Sequence, residues 1–209
     1  MTGQRLMGRL VALLGIGVGV LTMPMAAAQN LVVNGDFDND VDGWTELSIP
    51  LSWDPTSDYQ NSPASGSALI VNAIPFGNSG ATQCVSGIIG GETYHLSAWL
   101  RAPTGQNAEG MAGVFVWWWT GSNCGGSMSI GPATAYIFTS NSWVELVAPS
   151  EQAPPGTQSG TVYLNNQNKS STPGAYSASF DHVLLAASGV IFSDGFESGD
   201  TSAWSATVP

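Results

Sequence analysis

The stretch Thr93-Tyr94-His95-Leu96-Ser97-Ala98-Trp99-Leu100-Arg101 sets the fold class. Tyr94, Leu96, Ala98 and Leu100 occupy alternate positions, so an extended backbone puts them on one face and His95, Ser97, Trp99 and Arg101 on the other. A period of two over nine residues specifies a strand rather than a helix. The first set is ordinary core. The second mixes a large ring, a guanidinium and hydrogen-bonding groups. Gly160–Asn166 repeats the device: Val162 and Leu164 point one way, and Tyr163 and Asn165, with Gln167 beyond them, point the other. Around these two segments the chain is a succession of short β-branched or aromatic runs bounded by Gly, Pro, Asn and Ser, with 26 Gly and 12 Pro in all. Strands are predicted at Asn30–Val33, Ala68–Ala73, Ala81–Val85, Thr93–Arg101, Ala112–Thr120, Ala133–Phe138, Trp143–Val147, Gly160–Asn166 and Ala178–Leu185. No amphipathic helix of normal length stands out. That many short strands predict an all-β antiparallel sandwich, a jelly roll or a relative of one.

Composition narrows the partners. The 209 residues carry 4 Lys+Arg against 15 Asp+Glu, a formal net charge of −11. Clustered cations are needed to hold nucleic acid or an anionic membrane surface, and four in 209 residues are too few. A hydrophobic content of 43% with 8 Trp argues against disorder.

Residues 1–28 read as a signal peptide. Arg5 and Arg9 form a positive start, Leu10–Met23 an apolar stretch, and Ala26-Ala27-Ala28 a small-residue ending, with cleavage expected before Gln29. A retained anchor is the competing reading, but the apolar stretch is short for a span of about 20 residues. A secreted protein without stable membrane insertion is expected. Cys84 and Cys124 are the only cysteines. In an oxidising compartment they are expected to pair, closing a loop of about 40 residues worth about 4 kcal/mol. A metal pair is the alternative, although no other Cys or His lies at ligand spacing.

Several pieces of the sequence resemble carbohydrate-binding modules that accompany cellulases and xylanases, which adopt a galactose-binding-like jelly roll. Asn30–Thr45 (NLVVNGDFDNDVDGWT) is similar to their opening, Ser62–Val71 to their Ser-x-x-Gly strand entry, and Gly90–Ala102 to their Gly-x-x-Tyr-x-Leu-Ser-x-Trp strand. Asn141–Leu146 and Ser177–Ala186 resemble their late Trp strand and closing Asp-Asp-Val strand. The resemblance spans Asn30–Ala186. It implies packing roles for Trp44 and Trp143 and a structural calcium joining the first and last strands. Mapped here, the calcium candidates are Asp38 and Asp181, with Asp36 and Ser65 supplying backbone oxygen. The chain departs from the family at Asp181-His182, where two Asp are usual, and at Asp38, where Glu is commoner. Asp38-x-Asp40-x-Asp42-Gly43 also opens like an EF-hand loop, but its twelfth position is Ile49 instead of the required Glu. Solvated Asx turns are the plain alternative for these acids.

Sugars offer apolar C–H faces to aromatic rings and hydroxyls to amides and charged groups. Trp99, Arg101, Trp117, Trp119, Tyr163, Asn165 and Gln167 are therefore the ligand candidates, taken together as one aromatic and polar sheet face, with Trp53 and Tyr59 on a nearby loop. In Trp117-Trp118-Trp119, neighbours must point to opposite faces, so either Trp118 or the outer pair turns away from the interior. Catalysis is not expected. The only histidines are His95 and His182, no Gly-x-Ser-x-Gly elbow occurs, and Glu92, Glu109, Glu145 and Glu151 show no pairing. Domain boundaries are placed at 1–28 (signal), 29–187 (sandwich) and 188–209 (tail). The tail's Asp194-Gly195-Phe196-Glu197…Trp204 echoes Gly35-Asp36-Phe37-Asp38…Trp44 and resembles endings of exported Gram-negative proteins, implying an export or surface-attachment tag. The expected role is a secreted, non-catalytic module that binds a polysaccharide or glycan, with cell-surface association implied by the tail. An extracellular structural or adhesive protein without sugar binding is the rival, and composition leaves the oligomeric state open.

Overall fold

A computed structural model describes residues 29–188. The expected signal segment 1–28 and the tail from residue 189 lie outside the described residues. The described residues form eleven strands: β1 Thr45–Leu47, β2 Leu51–Asp54, β3 Ser67–Asn72, β4 Asn78–Ser86, β5 Thr93–Ala102, β6 Gly110–Trp119, β7 Met128–Ala133, β8 Ser140–Val147, β9 Glu151–Gln152, β10 Ser159–Asn168 and β11 Tyr176–Ala187. They make two antiparallel sheets, one ordered β1-β4-β10-β6-β7 and the other β2-β3-β11-β5-β8 with β9 beside β5. The expected all-β sandwich with jelly-roll character is what forms.

Alternation builds the core. On β5, Tyr94, Leu96, Ala98, Leu100 and Ala102 are buried, and they face Val114, Val116 and Trp118 of β6 and Val162 and Leu164 of β10. Trp118 is the inward member of the tryptophan run, its ring 5.4 Å from that of Tyr94. At one end the filling turns polar. Asn72 of β3 donates to the carbonyl of Asn166, while Asn166 donates to Ile70 and Asn168 to Asn72, lacing β3 to β10 across the two sheets. Buried amides of this kind hold their register because an unmet partner is costly.

Two strand expectations change, and three unexpected strands appear. Asn30–Val33 is not a strand. Asn34 has φ 50°, which turns the chain, and Asn30 instead clamps the segment to β11 by donating to Val183 O and accepting from Leu185 N. The edge strand expected at Ala133–Phe138 lies earlier, at Met128–Ala133, with Ile137 making a single bridge to Ala112. β1, β2 and β9 were not expected. They are two to four residues long, too short to display a period. Cys84 and Cys124 are bridged, tying β4 to the loop after β6.

Candidate functional site

The structure divides the seven ligand candidates between two opposite surfaces, because β5 and β6 lie in different sheets and each turns its outer residues away from the shared core. Trp117, Trp119, Tyr163, Asn165 and Gln167 share the outer face of the β1-β4-β10-β6-β7 sheet. Trp99 and Arg101 lie on the outer face of the other. The single expected face is thus corrected to two. The alternation of each strand was read properly, but periodicity cannot say which sheet a strand joins.

The first face is an aromatic platform. β6 and β10 pair with Tyr163 opposite Phe115 and Thr161 opposite Trp117. The Trp117 and Tyr163 rings stack at 5.7 Å and 13°, and Phe115 meets Tyr163 edge-on at 4.5 Å. Tyr163 is 5% exposed, packed by what lies beneath and beside it, and Asn165 next to it is 1% exposed, so Phe115 and Trp117 are the partly exposed rings of this face. A Cβ on Gly80 would come within 3.0 Å of the Tyr163 ring, so glycine opens the room, and the Tyr163 hydroxyl donates to Asn78 Oδ1 at 3.3 Å. Gly113 does the same for Tyr136, whose hydroxyl accepts from Asn165 Nδ2. Burial raises the Tyr163 phenol above its ordinary value, so it stays a neutral donor through the physiological range. Trp119 is pinned by its indole N–H to Thr161 Oγ1 at 2.8 Å. Asn165 Oδ1 is buried without a partner, and Ile130, opposite Trp117, is 75% exposed. β4, β6, β7 and β10 contain no charged residue at all. The sequence pointed to Trp117 and Tyr163 but missed Phe115 and Tyr136. Phe115 was legible as the position two before Trp117.

The second face is a cleft of about 770 Å³. Its floor carries Trp99 and Arg101. One wall is the loop between β2 and β3, with Ser57, Tyr59 and Ser62, and the other is Asn141, Ser142 and Trp143. That second wall exists because the β5–β8 register slips between Leu100 and Ala102, bowing β8 out opposite Arg101. Trp143, expected to pack internally, therefore lines the cleft. Tyr59 lies 5.1 Å from Trp99 on one side and 5.1 Å from His182 on the other. Trp53, expected on a loop, lies instead on β2, donates its indole N–H to Phe37 O at 2.7 Å and packs on the core. Trp44 packs internally as expected, against Phe37.

The calcium candidates do come together. Ser65 Oγ donates to Asp38 Oδ1 at 3.0 Å and reaches Asp36 O at 3.5 Å, while His182 Nδ1 donates to Asp36 Oδ1 at 2.6 Å. Asp181 is wholly buried, and its two oxygens accept from Tyr59 N at 3.0 Å and His182 N at 2.7 Å. Burial pushes its pKa up to about 7. These carboxylates already face protein N–H and O–H donors. Among the described residues, no group of three or more His, Cys, Asp or Glu side chains is placed to hold a metal ion. As they stand, the side chains do not fit a hard cation, which requires several oxygens free to converge. His182, at the position where the resemblance leads one to expect a second acid, supplies the positive partner of Asp36 itself. Asp40 makes an Asx turn, accepting from Asp42 N at 2.9 Å.

No protein-family model and no curated protein matches the chain. Solved structures do resemble it. The C-terminal family 22 carbohydrate-binding module of Clostridium thermocellum Xyn10B is 18% identical with a TM-score of 0.55, over 77% of this chain and 99% of that module. The first CBM22 xylan-binding domain of Paenibacillus barcinonensis Xyn10C is 15% identical with a TM-score of 0.54, over 78% of this chain and 97% of that domain. The enzymatically active domain of bacteriophage CBA120 tailspike protein 4 is 18% identical with a TM-score of 0.52, and the match covers 76% of this chain but 21% of that one. The fold is accordingly the jelly roll of carbohydrate-binding modules. The near full-length likenesses are to binding modules, whereas the tailspike chain extends far beyond the matched part.

Proposed function

We propose that this protein is an exported, non-catalytic module that binds a neutral β-linked polysaccharide, xylan being the first to test, on the outer face where half-buried Phe115 and Trp117 pack over a buried Tyr163. The stacked Trp117–Tyr163 pair on an uncharged sheet face carries the reading. The partly exposed rings of Phe115 and Trp117 match the C–H faces of a sugar chain, and the half-buried amide of Gln167 lies on the same face for hydroxyls, while Asn165 and Tyr163 form the buried bed beneath. The xylan-binding domain similar in fold supports this choice of ligand, and the Cys84–Cys124 bridge supports an oxidising destination. A non-catalytic reading is supported by the histidines: His182 is bound to Asp36, and His95, 3.5 Å from the exposed Ser150 Oγ, has no carboxylate within 4.0 Å among the described residues to orient it as a base.

Calorimetric titration with xylohexaose tests the proposal. Wild type is expected to bind, and Trp117→Ala and Phe115→Ala to lose at least about tenfold, the order of one aromatic contact. The same titration in EDTA is expected to give an unchanged affinity. No binding by wild type, or undiminished binding by a folded Trp117→Ala, would refute it.

A further inference from the structure

Arg101 is the only arginine among the described residues, and it is electrostatically unanswered. Its Nε–H is buried with no acceptor, and Nη1 reaches only Ser57 Oγ, at 3.3 Å. The one salt bridge among the described residues joins His182 to Asp36, so no carboxylate lies within 4.0 Å of this guanidinium. A guanidinium carries five donors and stays charged, and burying part of it without a counter-charge is costly. In a chain of net charge −11 acids are plentiful, yet none is spent here. The fork is presented to a cleft of about 770 Å³, within the range that holds small ligands.

The rest of the cleft says what kind of anion fits. Trp99 and Tyr59 place two rings 5.1 Å apart beside the charge, and Trp143 stands on the opposite wall. Ser57, on the β2–β3 loop, accepts from the guanidinium and holds it at the Tyr59 side of the cleft. A ring-shaped ligand bearing one carboxylate satisfies both features, with its C–H face on the aromatics and its oxygens on the fork. A single negative charge also suits this acidic neighbourhood better than a dianion, since Asp58 and Asp181 act on Tyr59 from nearby. We infer that the Trp99–Tyr59–Arg101 cleft is a second binding site, for a uronic acid residue of an acidic glycan, on the side of the sandwich opposite the neutral platform. The protein would then hold two chemically different sugars at once.

Trigalacturonic acid and its methyl ester make the test, because they differ in charge and share the sugar. Calorimetry is expected to show wild type binding the acid at least about tenfold more tightly than the ester, the scale of one charge-assisted hydrogen bond. Arg101→Gln should lose that preference, Arg101→Lys should keep part of it, and Trp117→Ala should leave it intact. Near-UV circular dichroism checks that each variant is folded. Equal affinity of wild type for acid and ester, or no binding of either, would overturn the inference without any variant. A folded Arg101→Gln that still prefers the acid would also overturn it. Because xylohexaose reads the other face through Trp117, failure of one site is distinguishable from failure of the other.

Discussion

Asp181 and His182 are adjacent residues with opposite charge types, yet both bias the fold toward mildly acidic pH. Asp181 is a buried carboxyl whose pKa is pushed up to about 7 by desolvation, against an ordinary 3.8. The folded state therefore keeps its proton where the unfolded chain has lost it, and that contribution disappears as pH rises from about 4 toward 7. The hydrogen bond to Asp36 raises the His182 imidazole above its ordinary 6.5, so its contribution holds below 6.5 and is lost as pH climbs through the folded value. Asp36 is lowered by the same bond, and its share is lost only as pH falls below the usual carboxylate range. The urea midpoint is thus expected to fall between about pH 5 and pH 8, with a shallower fall in His182→Gln. A midpoint that stays flat or rises across that interval would contradict this account. The pairing was not legible in the sequence. Asp36 and His182 are 146 positions apart, and only the bulge in β11 between Asp181 and Leu184, with φ 44° at His182, swings the imidazole to the first segment.

At the scale of strands, legibility followed length and alternation. β5, β6, β10 and β11 were readable because ten or more residues display a period of two. β1, β2 and β9 were not, since their pairing partners and not their own residues make them strands. The same limit hid the cleft. A register slip between Leu100 and Ala102 depends on how β8 meets β5, which neither strand announces alone. The disulfide was readable from compartment and count, and its structural role is now specific: it links β4 to the β6–β7 loop, where Cys124 N donates to Ser159 Oγ at 2.9 Å on β10. Replacing both cysteines by serine is expected to cost about 2–4 kcal/mol in chemical denaturation, as for loops of this size. The platform lies along the same three strands, so a folded double variant should still bind xylohexaose. A loss below about 0.5 kcal/mol would show that the bridge adds little to strands already paired along their length.

Taken as one body, the sandwich has two outer surfaces of different chemistry. The outer surface of the β1-β4-β10-β6-β7 sheet is flat and aromatic, and its four long strands are uncharged; the other holds an arginine-floored cleft. The sequence supplied nearly all the residues of both but merged them, because alternation sorts side chains into in and out without saying which outside. Sheet membership is a property of long-range pairing, and that is where the reading changed. The bland alternative, a jelly roll that serves only as a structural spacer, makes no use of a half-buried Trp117 stacked on a buried Tyr163 at an outer sheet face.

The most direct test of the neutral platform follows the indole N–H resonances by NMR as xylohexaose is added to isotopically labelled protein. The account predicts that Trp117 and its neighbour Trp119 shift with saturation, while Trp99 and Trp143 across the sandwich stay in place. Shifts confined to Trp99 and Trp143, or no shift in any tryptophan, would contradict it.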